Sequence, residues 1–237
     1  MDIKFVSLIL GAYLFGSIPA AYLAAKWSRR IDIRQYGSGN VGASNLLKFT
    51  SKRVAIPIII FDLGKGAMVV WVAQLMGLGI VQQVTVGLAA IVGHNWPIFL
   101  RFNGGRGNLT TLGVVSILVP WLAPVVLVIA FSFVTFHQLA LGVFLALISA
   151  PIAVWFFGQP LGIADKLPLT LGFLAMLLIV VFRRLTAPRT SLSASVPSGQ
   201  LIINRLLFDR DIRDREAWIH RAPPEASSTE QEKPGKG

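Results

Sequence analysis

A glycine-rich loop between two apolar runs holds the residues with the clearest chemical potential. This loop, residues 93–107, contains His94 and a glycine cluster around Arg106. Glycines let a backbone approach a ligand closely, and their N–H groups can form an anion nest beside a guanidinium group. A plain connecting loop is the simpler alternative. We predict a phosphate or carboxylate site formed by Gly104, Gly105, Arg106 and Gly107.

A second polar cluster lies at residues 36–48. Ser38, Asn40 and Asn45 are interspersed with glycines, and a short stretch predicted to be helical ends in Lys48. Hydroxyl and amide groups beside backbone donors suit a small ligand that is rich in oxygen. A turn rich in Gly, Ser and Asn is the structural alternative. We predict that these side chains bind substrate.

A third cluster consists of two charged residues within an apolar run. Asp62 and Lys65 are spaced i,i+3, so they can meet on one face of a helix. A lysine near the bilayer centre costs about 2.5–3.5 kcal/mol on insertion scales, and intramembrane charges usually mark function. A structural ion pair that neutralises itself is an equal alternative.

His94 is the candidate general base, because an unperturbed imidazole titrates near neutral pH. A hydrogen-bonded helix end is the alternative role. The chain contains no Cys, so thiolate catalysis, disulfides and thiolate metal sites are excluded. It also lacks the Gly-x-x-x-x-Gly-Lys-Ser/Thr loop that binds nucleotide phosphates. Soluble acyltransferases usually carry a His followed five residues later by Asp, and His94 has no Asp at that spacing. We expect neither a metal nor a cofactor.

The composition indicates an all-α, polytopic integral membrane protein. The chain is 54% hydrophobic and 14% charged, with a mean hydropathy of +0.66. Its apolar runs are long enough to cross a bilayer. The net charge of +11 would suit nucleic acid in a soluble protein. In a membrane protein it marks cytoplasmic loops beside anionic lipid, so we expect a lipid partner and no nucleic acid.

The number of spans depends on whether Pro120 divides residues 109–135. Two short spans hinged at this proline place the basic clusters on one face, which the positive-inside rule favours. Leu109–Val119 is then a half-helix protected by its neighbours, or a longer helix that includes part of the loop. We predict seven transmembrane or half-membrane helices, with the N-terminus outside and the C-terminus cytoplasmic. The predicted segments are Phe5–Ala25, Val54–Leu78, Ile80–His94, Leu109–Val119, Trp121–Thr135, Leu139–Phe157 and Leu169–Phe182.

The chain is divided into a membrane domain and a polar tail. We predict that residues 1–185 form the transmembrane domain and that the Ser/Pro-rich residues 186–199 form a linker. Residues 200–220 are predicted to form an amphipathic helix at the membrane surface, with a soluble capping helix as the alternative. Residues 221–237 have the composition of a disordered tail.

The polar clusters together resemble the motifs of the bacterial acyl-phosphate-dependent glycerol-3-phosphate acyltransferases, the PlsY type. Gly37-Ser38-Gly39-Asn40-x-Gly42-Ala43-Ser44-Asn45-x-x-Lys48 resembles their first motif, and Asp62-x-x-Lys65-Gly66 is also similar. The loop Gly93-His94-x-x-Pro97-x-Phe99-Leu100-x-Phe102-x-Gly104-Gly105-Arg106-Gly107 follows in the family order. The resemblance covers roughly residues 5–182.

The resemblance implies a seven-helix membrane enzyme of the cell (inner) membrane of a bacterium. It would transfer a fatty acyl group from acyl phosphate to the primary hydroxyl of glycerol 3-phosphate, giving lysophosphatidate and phosphate. A soluble acyl-phosphate synthase would be its partner. On this basis we assign His94, Ser38 and Arg106 to catalysis. The substrate-binding residues would be Ser38, Asn40, Asn45, Lys48, Lys65, Gly104, Gly105, Arg106, Gly107 and Arg205.

The sequence departs from the family pattern after the last predicted span. The family has a His there, then Asn, and soon an Arg-Leu pair with a following Glu. This chain has Arg183-Arg184, an apparent insertion, then Arg205-Leu206-Leu207 and Asp211, without clear counterparts of the His and Asn. The first motif ends in Lys48 instead of Arg, and Arg106 replaces the usual Lys. These departures are consistent with a divergent second copy.

Two other classes of function remain open from the sequence. A small-anion transporter would also carry charged groups within a bundle of broken helices, but it commonly shows an internal repeat, which this chain lacks. A non-catalytic lipid-binding relative is the other alternative, because the third motif is altered.

Overall fold

Helices form the secondary structure of residues 3–223, the part of the chain that the computed structural model describes. Short 3-10 turns lie at Ile33–Gln35, Ile98–Leu100 and Ser191–Ser193. The helices are α1 (Ile3–Gly16), α2 (Ala20–Arg29), α3 (Ala43–Phe49), α4 (Lys52–Leu75), α5 (Ile80–Asn95), α6 (Asn108–Leu118), α7 (Leu122–Phe131), α8 (Leu139–Phe157), α9 (Lys166–Leu185), α10 (Ser198–Phe208) and α11 (Arg215–Ile219).

Several helical stretches are long and apolar enough to cross a membrane. They are Ile3–Arg29, Lys52–Leu75, Leu139–Phe157 and Lys166–Leu185, with 27, 24, 19 and 20 residues. A span needs about 20 apolar residues, because a helix rises about 1.5 Å per residue across a core of about 30 Å. The helix α5 has 16 residues, and α6 and α7 have 11 and 10. The shorter helices therefore depend on their neighbours for a protected environment.

The first predicted span, Phe5–Ala25, lies within the membrane-length stretch Ile3–Arg29, but this stretch breaks between α1 and α2. Pro19 lacks an N–H donor and disfavours helical geometry at Ile18, and Ser17 ends the first helix by donating to the Tyr13 carbonyl at 2.9 Å. The break leaves the Ile18 carbonyl free of the helical ladder. This carbonyl accepts a hydrogen bond from Lys65 Nζ at 3.2 Å.

The division of residues 109–135 at Pro120 is confirmed at the level of secondary structure. The helix α6 ends at Leu118, and α7 begins at Leu122. The short α6 packs mainly against α4 and buries Thr110, Thr111 and Val114. It therefore corresponds to the half-helix protected by its neighbours.

Glycines allow α4 and α6 to approach closely. A side chain at Gly66 would collide with the Thr110 carbonyl, and one at Gly113 would collide with the Leu63 carbonyl. Thr110 Oγ1 also donates to the Asp62 carbonyl at 3.1 Å. Helices in a membrane associate without a hydrophobic driving force. Small residues at their crossings instead allow close van der Waals packing.

The polar tail contains two helices instead of the single helix predicted over 200–220. Asp209 adopts a left-handed conformation, with φ 51° and ψ 43°, and ends α10, and the next helix begins only at Arg215. The helix α10 packs against α8 and α9 and buries Leu201, Asn204 and Arg205. Within the predicted linker 186–199, a 3-10 turn and the start of α10 are formed. The tail predicted to be disordered lies outside the described residues from 224 onward.

We predict opposite effects of two alanine substitutions within α4. Gly66→Ala should lower the free energy of unfolding by about 1–3 kcal/mol, because the added methyl group overpacks the crossing with α6. Gly64→Ala is the matched control, since a methyl group there meets no atom within 4 Å. It should be neutral or stabilising by up to about 1 kcal/mol, because alanine favours the helix. Thermal unfolding in detergent measures both; equal stability of the two variants would contradict the proposed packing.

Candidate functional site

The glycine loop folds back on the end of α5. Gly104 donates its backbone N–H to the Asn95 carbonyl at 3.2 Å, and Gly105 donates to the His94 carbonyl at 3.0 Å. These two amides are therefore engaged within the protein and cannot form the predicted phosphate nest. The N–H groups of Arg106 and Gly107 form no hydrogen bond within residues 3–223. The predicted cradle is thus reduced to these two amides and the adjoining start of α6.

The glycines in this loop serve close packing and a turn. A side chain at Gly105 would overlap His94 Nε2 and lie 2.8 Å from the Val41 carbonyl. Gly107 has φ +72° and begins α6, a conformation that residues with side chains rarely adopt. The glycine loop therefore lies directly on His94 and on the first polar cluster.

Arg183 clamps the glycine loop from the last turn of α9. Its Nε donates to the Gly105 carbonyl at 3.2 Å, and its Nη2 donates to the Gly104 carbonyl at 2.9 Å and to Asn103 Oδ1 at 3.0 Å. The rigid fork of the guanidinium group fixes this geometry. Sequence analysis missed this role, since an Arg pair at the end of a span is also what the positive-inside rule predicts.

Arg106 is buried and paired with a residue of the tail. Its Nε lies 2.7 Å from Asp209 Oδ1, and the side chains are 6% and 17% exposed. Asp209 lies more than a hundred residues away in sequence, and no local pattern marked it. The structure thus adds a carboxylate to the predicted anion site.

Asp62, Lys65 and His94 form a buried charged group behind the glycine loop. Lys65 Nζ lies 2.8 Å from Asp62 Oδ1, and His94 Nδ1 lies 3.6 Å from the same oxygen. Lys65 is only 1% exposed and also donates to the Ile18 carbonyl. The ammonium group is therefore directed into the protein, which favours the structural ion pair over the predicted substrate-binding role. The His94 Nε2 atom faces Gly105.

Asn45 holds the first polar cluster together. Its Nδ2 donates to the carbonyls of Tyr36 at 3.0 Å and Ile33 at 3.3 Å, and its Oδ1 accepts the Ser38 N–H at 3.2 Å. Both polar atoms of its side chain bond within the loop, which favours a positioning role of Asn45 over the predicted substrate contact. Ser38 Oγ accepts the Asn40 N–H at 3.3 Å, which leaves the hydroxyl proton available.

Lys48 lies in the last turn of α3 and interacts electrostatically with charged residues of the tail. Partial burial lowers the pKa of Lys48, and the neighbouring Arg215 lowers this pKa further, whereas Asp209 opposes the shift. The side chain is therefore close enough to Asp209 to feel its charge. The tail and the first motif thus share one electrostatic environment.

Arg205 anchors the tail and does not face a ligand site. Its Nε lies 2.7 Å from Asp211 Oδ1, and its Nη1 donates to the Leu185 and Ala187 carbonyls at 2.8 and 2.7 Å. At 5% exposure, these internal contacts favour a structural role of Arg205 over the predicted substrate contact. Farther along the tail, Arg221 exchanges backbone and side-chain hydrogen bonds with Gly37.

Two adjoining cavities lie beside these groups. The smaller has a volume of about 10 Å³, room for about one water molecule, and its lining includes Ser17, Asp62 and His94. The larger has a volume of about 330 Å³ and is apolar; it is lined by Ile18, Pro19, Tyr22, Leu23, Phe99 and Leu100. Ile18 and Pro19 line both cavities, so the apolar cavity lies next to the polar residues around Asp62 and His94.

Comparison with known proteins gives a consistent result. The family model described as Glycerol-3-phosphate acyltransferase matches residues 6–194. Glycerol-3-phosphate acyltransferase 5 of Dehalococcoides mccartyi is 45% identical over 229 residues, which cover 96% of this chain and 98% of that protein. Glycerol-3-phosphate acyltransferase of Halalkalibacterium halodurans is 41% identical over 162 residues, 65% of this chain and 78% of that one.

A solved structure is also similar. The crystal structure of PlsY (YgiH), an integral membrane glycerol 3-phosphate acyltransferase in its glycerol 3-phosphate form, aligns with a TM-score of 0.71 and 27% identity. The alignment covers 89% of this chain and 96% of that chain. Its lysophosphatidic acid form aligns with a TM-score of 0.70.

We predict that Arg183→Gln loosens the glycine loop. Loss of the guanidinium fork removes the donors to the Gly104 and Gly105 carbonyls, so hydrogen–deuterium exchange over residues 103–107 should accelerate by at least about tenfold. Arg189→Gln is the control, because Arg189 is exposed and follows Arg183 closely in the sequence. Unchanged exchange in Arg183→Gln, or equal acceleration in both variants, would show that Arg183 does not hold the loop.

Proposed function

Because the chain belongs to the glycerol-3-phosphate acyltransferase family, we propose that it takes its acyl group from an acyl phosphate. The chain is an acyltransferase that acylates glycerol 3-phosphate in phospholipid synthesis, and it is a multi-pass membrane protein. The donor, the acylated hydroxyl and the roles of individual residues are the proposed parts. The observation that carries the proposal is the meeting of the glycine loop and the first polar cluster at Gly105 and Val41.

In the proposed reaction, the primary hydroxyl of glycerol 3-phosphate attacks the acyl carbonyl. A carbon–oxygen ester bond forms, the anhydride carbon–oxygen bond breaks, and inorganic phosphate leaves with the products 1-acyl-glycerol 3-phosphate and phosphate. An acyl phosphate is already activated, so no covalent enzyme intermediate is required. The protein must bring two phosphates together and orient a hydroxyl toward a carbonyl.

Positive groups at the site suit this task. We propose that Arg106 and Lys48 neutralise the substrate phosphates, aided by the free amides of Arg106 and Gly107 at the start of α6. Donors of this kind can also stabilise the developing oxyanion. Ser38 and Asn40 are proposed to orient the glycerol hydroxyl; the Ser38 hydroxyl proton is available, and Asn40 Oδ1 has no hydrogen-bond partner within residues 3–223.

We propose that a substrate phosphate accepts the proton from the attacking hydroxyl. His94 is less suited to this step, because Nδ1 faces Asp62 and Nε2 faces Gly105. His94 then serves catalysis by supporting the glycine loop. The adjacent apolar cavity of about 330 Å³ is proposed to hold the first part of the acyl chain. A soluble acyl-phosphate synthase is the proposed source of the donor.

The altered third motif is compatible with activity. We propose that the Arg205–Asp211 pair, with Nε and Oδ1 2.7 Å apart, stabilises the tail in place of the family's Arg and Glu. The missing His and Asn would change rate or substrate preference in a divergent second copy. We therefore propose a catalytic enzyme of the bacterial inner membrane.

We propose that the N-terminus is outside and the C-terminus is cytoplasmic, on seven transmembrane or half-membrane segments. Single cysteines at Ser28 and Ser191, both exposed, should react with an impermeant maleimide only from the cytoplasm. A cysteine at exposed Gln159 should react only from outside, and the Cys-free parent provides the blank. Labelling of Ser191→Cys from outside would refute this topology.

Donor choice provides the direct test of the function. Purified protein given palmitoyl phosphate and glycerol 3-phosphate should form lysophosphatidate, whereas palmitoyl-CoA should give no product above background. The sequence basis is the absence of an Asp five residues after His94. Mass spectrometry of the lipid product measures the outcome. Equal use of the thioester would contradict the acyl-phosphate proposal.

The same assay tests Arg106. Arg106→Ala should lower kcat/KM by at least about tenfold, because a charge-assisted hydrogen bond to phosphate contributes about 1.5–3 kcal/mol. Arg106→Lys should retain most activity, because it keeps the positive charge. Near-parental kcat/KM of Arg106→Ala would show that Arg106 does not bind substrate phosphate.

A further inference from the structure

The Arg106–Asp209 pair places an internal carboxylate on the proposed phosphate ligand. Asp209 accepts a single hydrogen bond from Arg106, through Nε at 2.7 Å. Neither Nη group of Arg106 donates a hydrogen bond to any residue from 3 to 223. The guanidinium fork is thus only partly used, although it can hold an oxyanion through two parallel bonds. Asp209 thus occupies only the Nε of the Arg106 guanidinium group, which can accept a larger anion.

Asp209 is held in this position by anchors on both sides. On one side Arg205 is fixed by Asp211 and by backbone carbonyls, and Arg184 Nη1 donates to the Leu206 carbonyl at 2.9 Å. On the other side Arg221 Nε donates to the Gly37 carbonyl at 2.8 Å. The carboxylate itself is reachable, because the Asp209 side chain is 17% exposed. The tail therefore presents Asp209 to Arg106 without relying on that one contact for its attachment.

The charges around Asp209 exceed what one carboxylate neutralises. Arg183 bonds to the Gly105 carbonyl next to Arg106, Arg184 bonds to the Leu206 carbonyl near Asp209, and Lys48 feels the charge of Asp209. Within residues 3–223, none of these three side chains forms a direct ion pair with a carboxylate. A monoanion thus leaves a surplus of positive charge, and a phosphate, with up to two negative charges, compensates it better.

We propose that Asp209 is an internal substitute for the substrate phosphate, occupying Arg106 in the free enzyme and yielding it when a phosphate binds. The inference rests on the phosphate-binding role of Arg106 proposed above. Asp209 keeps Arg106 oriented and lowers the repulsion among the clustered cations while the site is empty. A phosphate that binds Arg106 through Nε must displace the carboxylate, so Asp209 weakens ground-state binding and favours release of inorganic phosphate.

The test is a titration of purified full-length protein with inorganic phosphate, measured by isothermal titration calorimetry at constant ionic strength. Asp209→Asn removes the competing charge with little change of shape, and it should lower the Kd for phosphate by roughly tenfold, the effect of about 1.4 kcal/mol. Asp209→Gly should do the same. Its fold is the safer of the two, because glycine adopts the left-handed conformation at φ 51° without strain.

Two further variants serve as a charge control and as a loss-of-binding control. Glu216→Gln removes the same charge from the same segment at a residue that pairs with Arg215 and His220, so the Kd for phosphate should change less than about twofold. Arg106→Ala should abolish the specific phosphate binding. Thermal unfolding of each variant confirms that the titrated protein is folded.

Each outcome either supports or overturns the inference. Tighter phosphate binding by both Asp209 variants, with little change in Glu216→Gln, supports it. Unchanged or weaker binding in the Asp209 variants would make Asp209 a purely structural clamp, and equal tightening in Glu216→Gln would reduce the effect to general electrostatics. Acyl transfer with unchanged phosphate affinity refutes this inference alone, whereas tighter phosphate binding without acyl transfer refutes only the proposed function.

Discussion

The buried Asp62–Lys65 ion pair is the interaction on which the architecture depends. An ammonium group that is 1% exposed is costly unless a nearby charge and hydrogen-bond acceptors replace the lost water. Asp62 supplies the charge at 2.8 Å, and the Ile18 carbonyl supplies an acceptor because the first helix breaks before Pro19. The same carboxylate faces His94, and the Asp62 backbone carbonyl accepts from Thr110. The helices α4, α5 and α6 and the α1–α2 break are therefore joined at a single point.

The long elements could be predicted from the sequence, because apolar runs and prolines act locally. Leu139–Phe157 agrees with α8 at both ends, and the division at Pro120 follows from the missing N–H donor of proline. The break at Ser17–Pro19 escaped prediction, since the apolar character continues on both sides. Its role is visible only in the fold, where Lys65, distant in sequence, donates to the Ile18 carbonyl that the break removes from the helical ladder.

The motifs indicated where the site lies more reliably than what each residue does. The prediction that Gly104 and Gly105 offer amides to a ligand was wrong because those amides bond to α5, and a sequence cannot show which partner a glycine amide has. Asn45 and Arg205 have side chains of a ligand-binding type, yet carbonyls and one carboxylate within the fold use their donors. Arg183 and Asp209 act only through residues roughly 80 to 100 positions away, which no local pattern can reveal.

The bond between Arg221 and Gly37 bears on the order in which the molecule is made. These residues are 184 positions apart, so the loop of the first motif acquires this support only after Arg221 has left the ribosome. The helices α1 to α9 can insert and pair earlier, because all of them precede Thr186 in the chain. Synthesis thus separates assembly of the bundle from completion of the polar site. A nascent chain therefore lacks this support for the first motif until Arg221 has been made and has bonded to Gly37.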